Sequence, residues 1–281
     1  MFEKILFPTD FTIHARAELE CIAGFPGVRE IVLLHIIRKF PIPHIETTMA
    51  NSMQEYLDEA KTYLETLHPG LTVTADMGTS TDVTGVILDT AAKRDTDLIV
   101  ISGYVKNFKL GVLLGRVPAT VLCRISKTNV FVMPNRLIDT LSGETHNKFC
   151  RYPFSKILCP TDFSEFSKKA IICTGSLNGV RELILLHVLP PTAQPPARSG
   201  AEARLAALRD MIASQGARVR IVVTTGEPAS EIARVAERED VSVIWMSDSG
   251  KGCLHDFVSG SLVHDAVMNG KRPALIVRSV E

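Results

Sequence analysis

An internal repeat is the feature of this sequence that most constrains its fold. The segment Lys4-Ile-Leu-Phe-Pro-Thr-Asp-Phe-Thr12 returns as Lys156-Ile-Leu-Cys-Pro-Thr-Asp-Phe-Ser164. A second segment, starting at Gly27, returns from Gly179 at the same separation of 152 residues (4 to 156, 27 to 179). Two matches at one separation are hard to obtain by chance, so the chain is interpreted as a duplicated domain. The predicted domains are residues 1–140 and 150–281, joined by a polar linker without a clear period.

Each half alternates short apolar runs with segments of helical spacing. Runs without polar alternation are typical of strands buried on both faces of a parallel sheet. Five strands and four helices per half predict an α/β fold, with two tandem doubly wound domains, each a five-stranded parallel sheet flanked by four helices. The clearest strand runs are Ile5–Phe7, Ile31–Ile37, Leu98–Ile101 and Val130–Met133 in the first half, and Ile157–Cys159, Leu183–Leu189, Val243–Met246 and Ala274–Arg278 in the second.

The last strand of each half is apolar and would leave an exposed sheet edge. Such edges recruit other strands unless they are covered. Pairing of Val130–Met133 with Ala274–Arg278, or with a second chain, would cover both. The sequence therefore predicts an intramolecular pseudo-dimer of the two domains and allows a homodimer.

Composition narrows the classes of partner. Lys+Arg 31 balance Asp+Glu 31, so there is no basic excess for nucleic acid. No apolar run reaches the length of about 18 residues that a membrane span needs, and the N-terminus lacks a signal-peptide layout. A soluble cytoplasmic protein is expected, with no membrane partner. The six cysteines show no metal-ligand spacing and are interpreted as buried free thiols.

The stretch from Val243 to Ser261 carries the pattern of an anion site. An apolar strand run is followed by a loop with Gly250, then by Gly260 and a helical pattern. Glycines let the backbone approach a ligand, and the free N–H groups of a helix N-terminus favour a phosphate. The alternative is a tight turn feeding a capped helix.

A Pro-Thr-Asp segment ends the first strand of each half, at Pro8-Thr9-Asp10 and Pro160-Thr161-Asp162. In a doubly wound sheet this carboxyl edge is where ligands sit, at the switch in strand order. A carboxylate there can accept the hydroxyls of a ribose or contact an adenine edge. The alternative is that each aspartate only caps the following helix.

Taken together, these motifs resemble the universal stress protein family, here as a tandem pair. The K-I-L-x-P-T-D-F-S start, the L-L-H-V second strand and the G-x-x-G-x9-G-S/T loop carry the likeness, which covers nearly the whole chain apart from the linker. The family has a five-stranded fold similar to adenine-nucleotide alpha hydrolase-like domains. Some members bind ATP or AMP through the glycine motif, and others lack it.

The resemblance implies a set of nucleotide contacts in the second half. Ser247 would stand at the first glycine of the motif, where it is a departure, and Lys251 would add a cation near the phosphates. Asp162 would hold the ribose, Val188 would contact adenine by its backbone, and Met246 would pack on the base or sugar. The full set of implied positions is Pro160, Thr161, Asp162, Val188, Met246, Ser247, Gly250, Gly260 and Ser261.

The first half departs further from the motif. Aligned on Gly103, it has Lys106 at the second glycine, a shorter spacing to Gly115, and Arg116 at the Ser/Thr position. A side chain where the backbone must approach a phosphate favours weak or absent binding in this half. The competing interpretation is that Lys106 and Arg116 add charge for a phosphate. With Asp10, the residues Gly103, Gly115 and Arg116 form a weaker candidate set.

No catalytic arrangement stands out. His35 and His187 lie in apolar strand runs and are interpreted as satisfied buried histidines, while the adjacent pairs His255-Asp256 and His264-Asp265 carry no clear role. No protein metal site is expected, although Mg²⁺ can accompany a triphosphate. The predicted function is binding of AMP or ATP in the second domain as a stress or regulatory module. The alternatives are a nucleotide-independent interaction and oligomerisation module, and a slow ATPase.

Overall fold

The computed structural model describes residues 2–37, 39, 43–103, 106–108, 111–113, 116–125, 127–134, 150–212, 216–247 and 272–278. The first half contains β1 (Lys4–Pro8), α1 (Ile13–Ala23), β2 (Glu30–Ile37), α2 (Pro43–Leu67), β3 (Thr72–Thr79), α3 (Val83–Arg94), β4 (Leu98–Gly103), β5 (Lys106–Phe108), β6 (Gly111–Leu113), α4 (Arg116–Arg124) and β7 (Asn129–Pro134). The second half contains β8 (Lys156–Pro160), α5 (Glu165–Cys173), a 3₁₀ turn (Thr174–Ser176), β9 (Glu182–Leu189), α6 (Pro195–Ile212), β10 (Arg218–Thr225), α7 (Pro228–Arg238), β11 (Val243–Ser247) and β12 (Ala274–Val277).

The two halves share one ten-stranded sheet in the order β10-β9-β8-β11-β12-β7-β4-β1-β2-β3. In this sheet all pairings within each half are parallel, and the strand order reverses between β1 and β4, and between β8 and β11. These two points are the switch points where a doubly wound sheet opens a crevice. The predicted α/β fold is confirmed. The fourth helix predicted for the second half lies outside the described residues.

The sheet is buried on both faces because helices cover each side. One continuous core joins α1, α2, α5 and α6 with alternate strand residues such as Phe7, Leu33 and Trp245. A second core on the opposite face joins α3, α4 and α7 with the intervening residues, such as Leu6 and Ile244. Both cores run through both halves, so neither half buries its apolar residues alone.

The halves meet through their last strands. Of the two predicted arrangements, pairing with each other or with a second chain, the structure has the first. β12 pairs antiparallel with β7, with Leu275 opposite Phe131. Across this junction, aromatic rings from both halves pack edge to face. The centroids of contacting rings are 5.2 to 6.4 Å apart, and the rings are those of Phe25, Phe131, Phe154 and Trp245. Such contacts between rings add to the apolar area that they bury. The predicted pseudo-dimer is therefore a single packed unit at its centre.

Arg278 adds a polar link across the same junction. Its backbone N–H donates to Asn129 Oδ1 at 2.9 Å. Its guanidinium donates to the carbonyl oxygens of Leu122 and Ile125, at the end of α4. A cation at a helix C-terminus satisfies carbonyl groups that have no partner within the helix and complements the helix dipole.

The prediction of free thiols is wrong for part of the cysteines. Cys21 in α1 and Cys150, ahead of β8, form a disulfide with a Cα–Cα distance of 4.5 Å, and Cys123 is also disulfide-bonded. Cys159 and Cys173 are free, as predicted. Spacing along the sequence does not reveal the first bridge, because its cysteines are 129 residues apart and meet only once the second half folds back on α1.

Candidate functional site

The Pro-Thr-Asp segments form the same hydrogen-bonded turn at the carboxyl edge of each half. The N–H of Thr161 donates to Leu186 O at 2.8 Å, and that of Thr9 donates to Leu34 O at 2.9 Å. The threonine hydroxyls then accept the N–H of Phe163 (2.9 Å) and of Phe11 (3.1 Å). Both phenylalanines have a positive backbone φ, 65° for Phe163 and 58° for Phe11, which residues other than glycine adopt rarely. The turn is thus specified closely enough to hold an unfavourable backbone conformation in both halves.

Asp162 and Asp10 stabilise the start of the following helix. Asp162 Oδ1 accepts the N–H of Ser164 at 2.9 Å, and Asp10 Oδ1 accepts the N–H of Thr12 at 3.1 Å. Ser164 and Thr12 are the N-cap residues of α5 and α1. The aspartates thus accept backbone N–H groups at the helix start, as the capping interpretation expects, but Ser164 and Thr12 supply the caps themselves. Both aspartates are nevertheless exposed, which leaves them accessible to a ligand.

The ionisation of Asp162 favours a role as an acceptor. Partial burial raises the pKa of its carboxyl, but hydrogen bonds from Ser164 and Ser167 outweigh this and hold the pKa below its ordinary value. The group is therefore a carboxylate at neutral pH. An exposed carboxylate beside a strand end can accept two hydroxyls of a sugar.

His187 and His35 each anchor the backbone of one of these loops. Nδ1 of His187 lies 2.8 Å from Thr161 O, and Nδ1 of His35 lies 2.9 Å from the Thr9 carbonyl oxygen, so each imidazole N–H donates to the loop backbone. Their rings also pack on Phe163 and Phe11, with centroids 4.4 and 4.9 Å apart. Both histidines are hydrogen-bonded, as interpreted, although each is half-buried rather than fully buried.

Several predicted residues of the second half converge on the switch point between β8 and β11. Pro160 ends β8, with Thr161 and Asp162 directly after it, and Ser247 ends β11, the neighbouring strand. Met246 is buried beside Ser247, and Val188 is half-buried near the end of β9. Gly250, Lys251, Gly260 and Ser261 lie outside the described residues, as do His255, Asp256, His264 and Asp265.

The first half has a buried acid at its switch point that the sequence interpretation missed. Glu18 of α1 is 0% exposed and accepts a hydrogen bond from Ser102 near the end of β4. Its other oxygen, Oε1, has no hydrogen-bond partner in the part of the chain that the structure describes. Burial raises the pKa of Glu18 to about 8, the bond from Ser102 lowers it, and the charge of Asp10 raises it. A signal existed, because position 18 lies on the apolar stripe of α1 with Ala15, Leu19 and Ile22.

The strand registers also correct the alignment of the two glycine loops. Leu98 pairs with Ile5 as Val243 pairs with Ile157, which places Ser102 opposite Ser247 in the two halves. Gly103 therefore lies one residue beyond the position first given to it. Carried along the sequence, this alignment sets Val105 against Gly250 and Lys106 against Lys251.

The weaker candidates of the first half lie at a strand end, in the loop after β1 and at a helix start. Gly103 ends β4, and β5 and β6 then form an antiparallel hairpin, with Lys106 paired to Leu113. Arg116 is the first residue of α4, and Gly115 lies outside the described residues. Asp10 repeats the hydrogen-bonded geometry of its counterpart Asp162 in the second half.

Two properties of the described residues bear on other classes of function. Nowhere in that part of the chain do three His, Cys, Asp or Glu side chains come together in a way that could hold a metal ion. The described helices include none that is both long and apolar enough to cross a membrane.

Known proteins similar to this chain agree with the fold. The model of the universal stress protein family matches residues 1–134 and again residues 153–278. A universal stress protein of Methanocaldococcus jannaschii is 24% identical over 154 residues, which cover 44% of this chain and 95% of that protein. The crystal structure of a universal stress protein from Archaeoglobus fulgidus superposes with a TM-score of 0.74 at 21% identity, covering 99% of this chain and 97% of the other. A Pseudomonas aeruginosa protein of unknown function superposes with a TM-score of 0.63 at 15% identity, covering 98% and 92%.

Proposed function

The chain belongs to the universal stress protein family, with one family domain in each half, and on this premise we propose that its second half binds an adenine nucleotide, AMP or ATP. Asp162 is the residue proposed to hold the ribose. The phosphates would lie against the loop that contains Gly250 and Gly260 and the helix start at Ser261. Mg²⁺ would enter with a triphosphate rather than through protein ligands.

The observation that carries this proposal is the exposed carboxylate of Asp162 at the switch point between β8 and β11. It is ionised, it is held in place by Ser164, and it directly follows the strand end. Ser247 at the end of the neighbouring strand is small enough for a ligand to approach the backbone. In the first half the residue aligned with Ser247 is Ser102, whose hydroxyl is already engaged by Glu18.

The difference between the halves implies one nucleotide site per chain. Ala170 stands in the second half where Glu18 stands in the first, so this helix position carries a buried acid in the first half and a small apolar residue in the second. In the first half the residue aligned with Gly250 is Val105, so the paired glycines of the motif are not both present there. Binding there is therefore proposed to be weak or absent.

Calorimetric titration of the nucleotide-stripped full chain with AMP and then ATP tests this proposal. One binding site is expected. Asp162→Ala is expected to weaken nucleotide binding by about tenfold, because it removes charge-assisted hydrogen bonds to the ribose. Asp10→Ala is the matched control, since Asp10 makes the same turn in the first half. Two sites of similar affinity, or equal effects of the two substitutions, would contradict the assignment to the second half.

The titration and a separate assay of phosphate release distinguish the alternative functions. No binding of either nucleotide would leave an interaction and oligomerisation module whose glycine loop is only a turn. Sustained phosphate release from ATP above background, lost in Asp162→Ala, would make the protein a slow ATPase. The regulatory role that we propose is that nucleotide occupancy stabilises the second half and thereby changes its contacts with partners.

Cellular location and homodimer formation stay predictions. The disulfide between Cys21 and Cys150 is the observation that weighs against a reducing compartment. Sedimentation of the purified chain would determine whether it assembles beyond its intramolecular pair of domains.

A further inference from the structure

The second half places a cation on the aromatic ring of its β8–α5 loop. The Arg204 guanidinium carbon lies 3.9 Å from the centroid of the Phe163 ring. A cation over the face of an aromatic ring is attracted by the negative charge of that face. Arg204 belongs to α6, and Phe163 follows Asp162, so this contact closes the space between helix and loop.

The first half has the same helix and ring with different side chains. Leu57 and Leu64 are the fully buried pair of α2, and Leu205 and Ile212 are the buried pair of α6 at the same spacing. This pairing aligns Tyr56 with Arg204, as does the contact of each with the phenylalanine of its loop.

Two exchanges at aligned positions therefore separate the halves. Tyr56 contacts Phe11 with ring centroids 5.7 Å apart, where the second half has the guanidinium of Arg204. Ala60 stands at the position of Leu208, a side chain that is only 4% exposed. The first exchange removes a cation from the ring, and the second removes the bulk beneath it.

A cavity of about 360 Å³ occupies this place in the first half, between α1, α2 and β2. Leu19, Leu33, Ala60 and Leu64 form its apolar part, and aromatic residues stand at its sides. Pockets of this size hold small organic ligands. The cavity adjoins the carboxyl edge of the sheet at Thr9 and Phe11, in the loop after β1, and its described lining includes no residue of β4.

The charges around the cavity favour a cation. Glu20 and Glu59 line it, and Glu55 and Asp58 lie on the adjoining surface of α2. Arg16 is the one basic residue among the described residues of its lining.

The position of Arg16 indicates what the site recognises. Its guanidinium carbon lies 5.0 Å from the centroid of Tyr63, whose hydroxyl donates to Glu20 Oε1 at 2.9 Å. The Arg16 side chain is 68% exposed, and its Nε is 3.9 Å from Glu20 Oε1. The Tyr63 ring, whose hydroxyl is bonded to Glu20, thus already has a cation on its face. That cation, Arg16, is exposed and weakly held.

We propose that this cavity binds a small organic cation with an apolar body, as a site separate from the proposed nucleotide site. The ammonium group lies against the aromatic faces of Phe11, Tyr56 and Tyr63 and near Glu59. The apolar body fills the space that Ala60 leaves open. The ligand supplies to the first half the cation that Arg204 supplies within the second.

Titration of the full chain with 2-phenylethylamine, followed by calorimetry and ligand-observed NMR, tests the proposal. Its anionic analogue 3-phenylpropionate has a similar shape and serves as the control. Saturable binding of one amine per chain in the millimolar range or tighter is expected, with no saturable binding of the acid. Absence of saturable amine binding, or equal binding of the acid, would overturn the proposal.

Three variants make the test specific to this cavity. Ala60→Leu copies the second half and is expected to weaken the amine by about tenfold or more, because the added side chain fills the space. Glu59→Gln is expected to weaken it by about threefold, and Arg16→Gln to strengthen it by about threefold, since one removes an attractive charge and the other a competing cation. Weaker amine binding in Arg16→Gln, or no effect of Ala60→Leu in a chain whose circular dichroism is unchanged, would contradict the site.

Competition with AMP separates this proposal from the nucleotide site. Saturating AMP is expected to leave the amine titration unchanged, and Asp162→Ala is expected to have no effect on it. Displacement of the amine by AMP would mean that the cavity is part of a nucleotide site and would overturn the proposal of a separate cation site.

Discussion

The two halves of this chain have the same backbone and different side chains at the places where ligands would bind. Both have the strand order 3-2-1-4-5, and both hold the first loop through a threonine, a histidine and a phenylalanine of positive φ. At aligned positions, the first half has Glu18 where the second has Ala170, and Ala60 where the second has Leu208. The comparison teaches that strand ends determine where a site lies, whereas a few side chains decide what it accepts.

Substitution of Trp245 is expected to have the largest effect on stability and the largest difference from the aligned substitution in the first half. Trp245 packs on Phe2 and Phe154 at the junction, and its Nε1–H donates to Ala170 O at 2.8 Å, whereas the aligned residue of the first half is Val100. Trp245→Ala is expected to lower the free energy of unfolding by about 4 kcal/mol, and Val100→Ala by about 2 kcal/mol. Urea unfolding followed by circular dichroism checks this, since the substitution removes the single tryptophan. Equal losses would show that the junction contributes no more than an ordinary core.

Loss of the disulfide is expected to have the next largest effect. Cys21 is bridged to Cys150 across 129 residues, while Cys173, its counterpart in the repeat, is free. Closing so long a loop restricts the unfolded chain, so Cys21→Ser is expected to destabilise by about 2–4 kcal/mol. Cys173→Ser is the matched control and should change stability by less than about 0.5 kcal/mol. If a reducing agent leaves the unfolding midpoint of the original chain unchanged, the bridge does not stabilise the fold.

The pH dependence of stability should distinguish the halves through Glu18. Its folded pKa of about 8 lies above its ordinary value of 4.5, so the folded state binds the extra proton between these pH values. Stability is therefore expected to fall as the pH rises through this window, by about 1 kcal/mol per pH unit between pH 6 and 8. Glu18→Gln keeps a neutral polar group and should flatten that profile. An unchanged profile, measured by urea unfolding at each pH, would show that Glu18 is ionised or accessible to water.

Filling the cavity of the first half is expected to have the smallest effect. Ala60→Leu adds the side chain that Leu208 provides in the second half, and cavity filling typically stabilises by about 1 kcal/mol. A rise in the melting temperature checks this. A clear loss of stability would mean that the cavity does not have the shape of the space around Leu208.

Much of the fold was predictable, because its determinants repeat along the chain. Largely apolar runs such as Ile31–Ile37 mark buried parallel strands, and the repeated Pro-Thr-Asp marks the carboxyl edge. The interpretation of His35 and His187 was correct because a polar residue in a buried strand needs a backbone partner. These features depend on local patterns, which a sequence displays directly.

What the sequence did not reveal depends on contacts between distant segments. The bond between Ser102 and Glu18 joins residues that are far apart in the chain, and so does the contact of Arg204 with Phe163. The glycine-loop alignment was shifted by one residue, because the pairing of β4 with β1, and not the glycine, sets its register. The roles of Gly250, Gly260 and Ser261 stay predictions, since those residues lie outside the described part of the chain.

The antiparallel pairing of β7 with β12 has a consequence for how such a chain can change over generations. When two separate copies associate through a twofold axis, every substitution appears on both sides of the contact, so each surface must remain complementary to itself. Within one chain the partner is always present at high effective concentration, and each side can change independently of the other. Trp245 on one side and Val100 on the other are an asymmetry that a pair of identical subunits could not acquire.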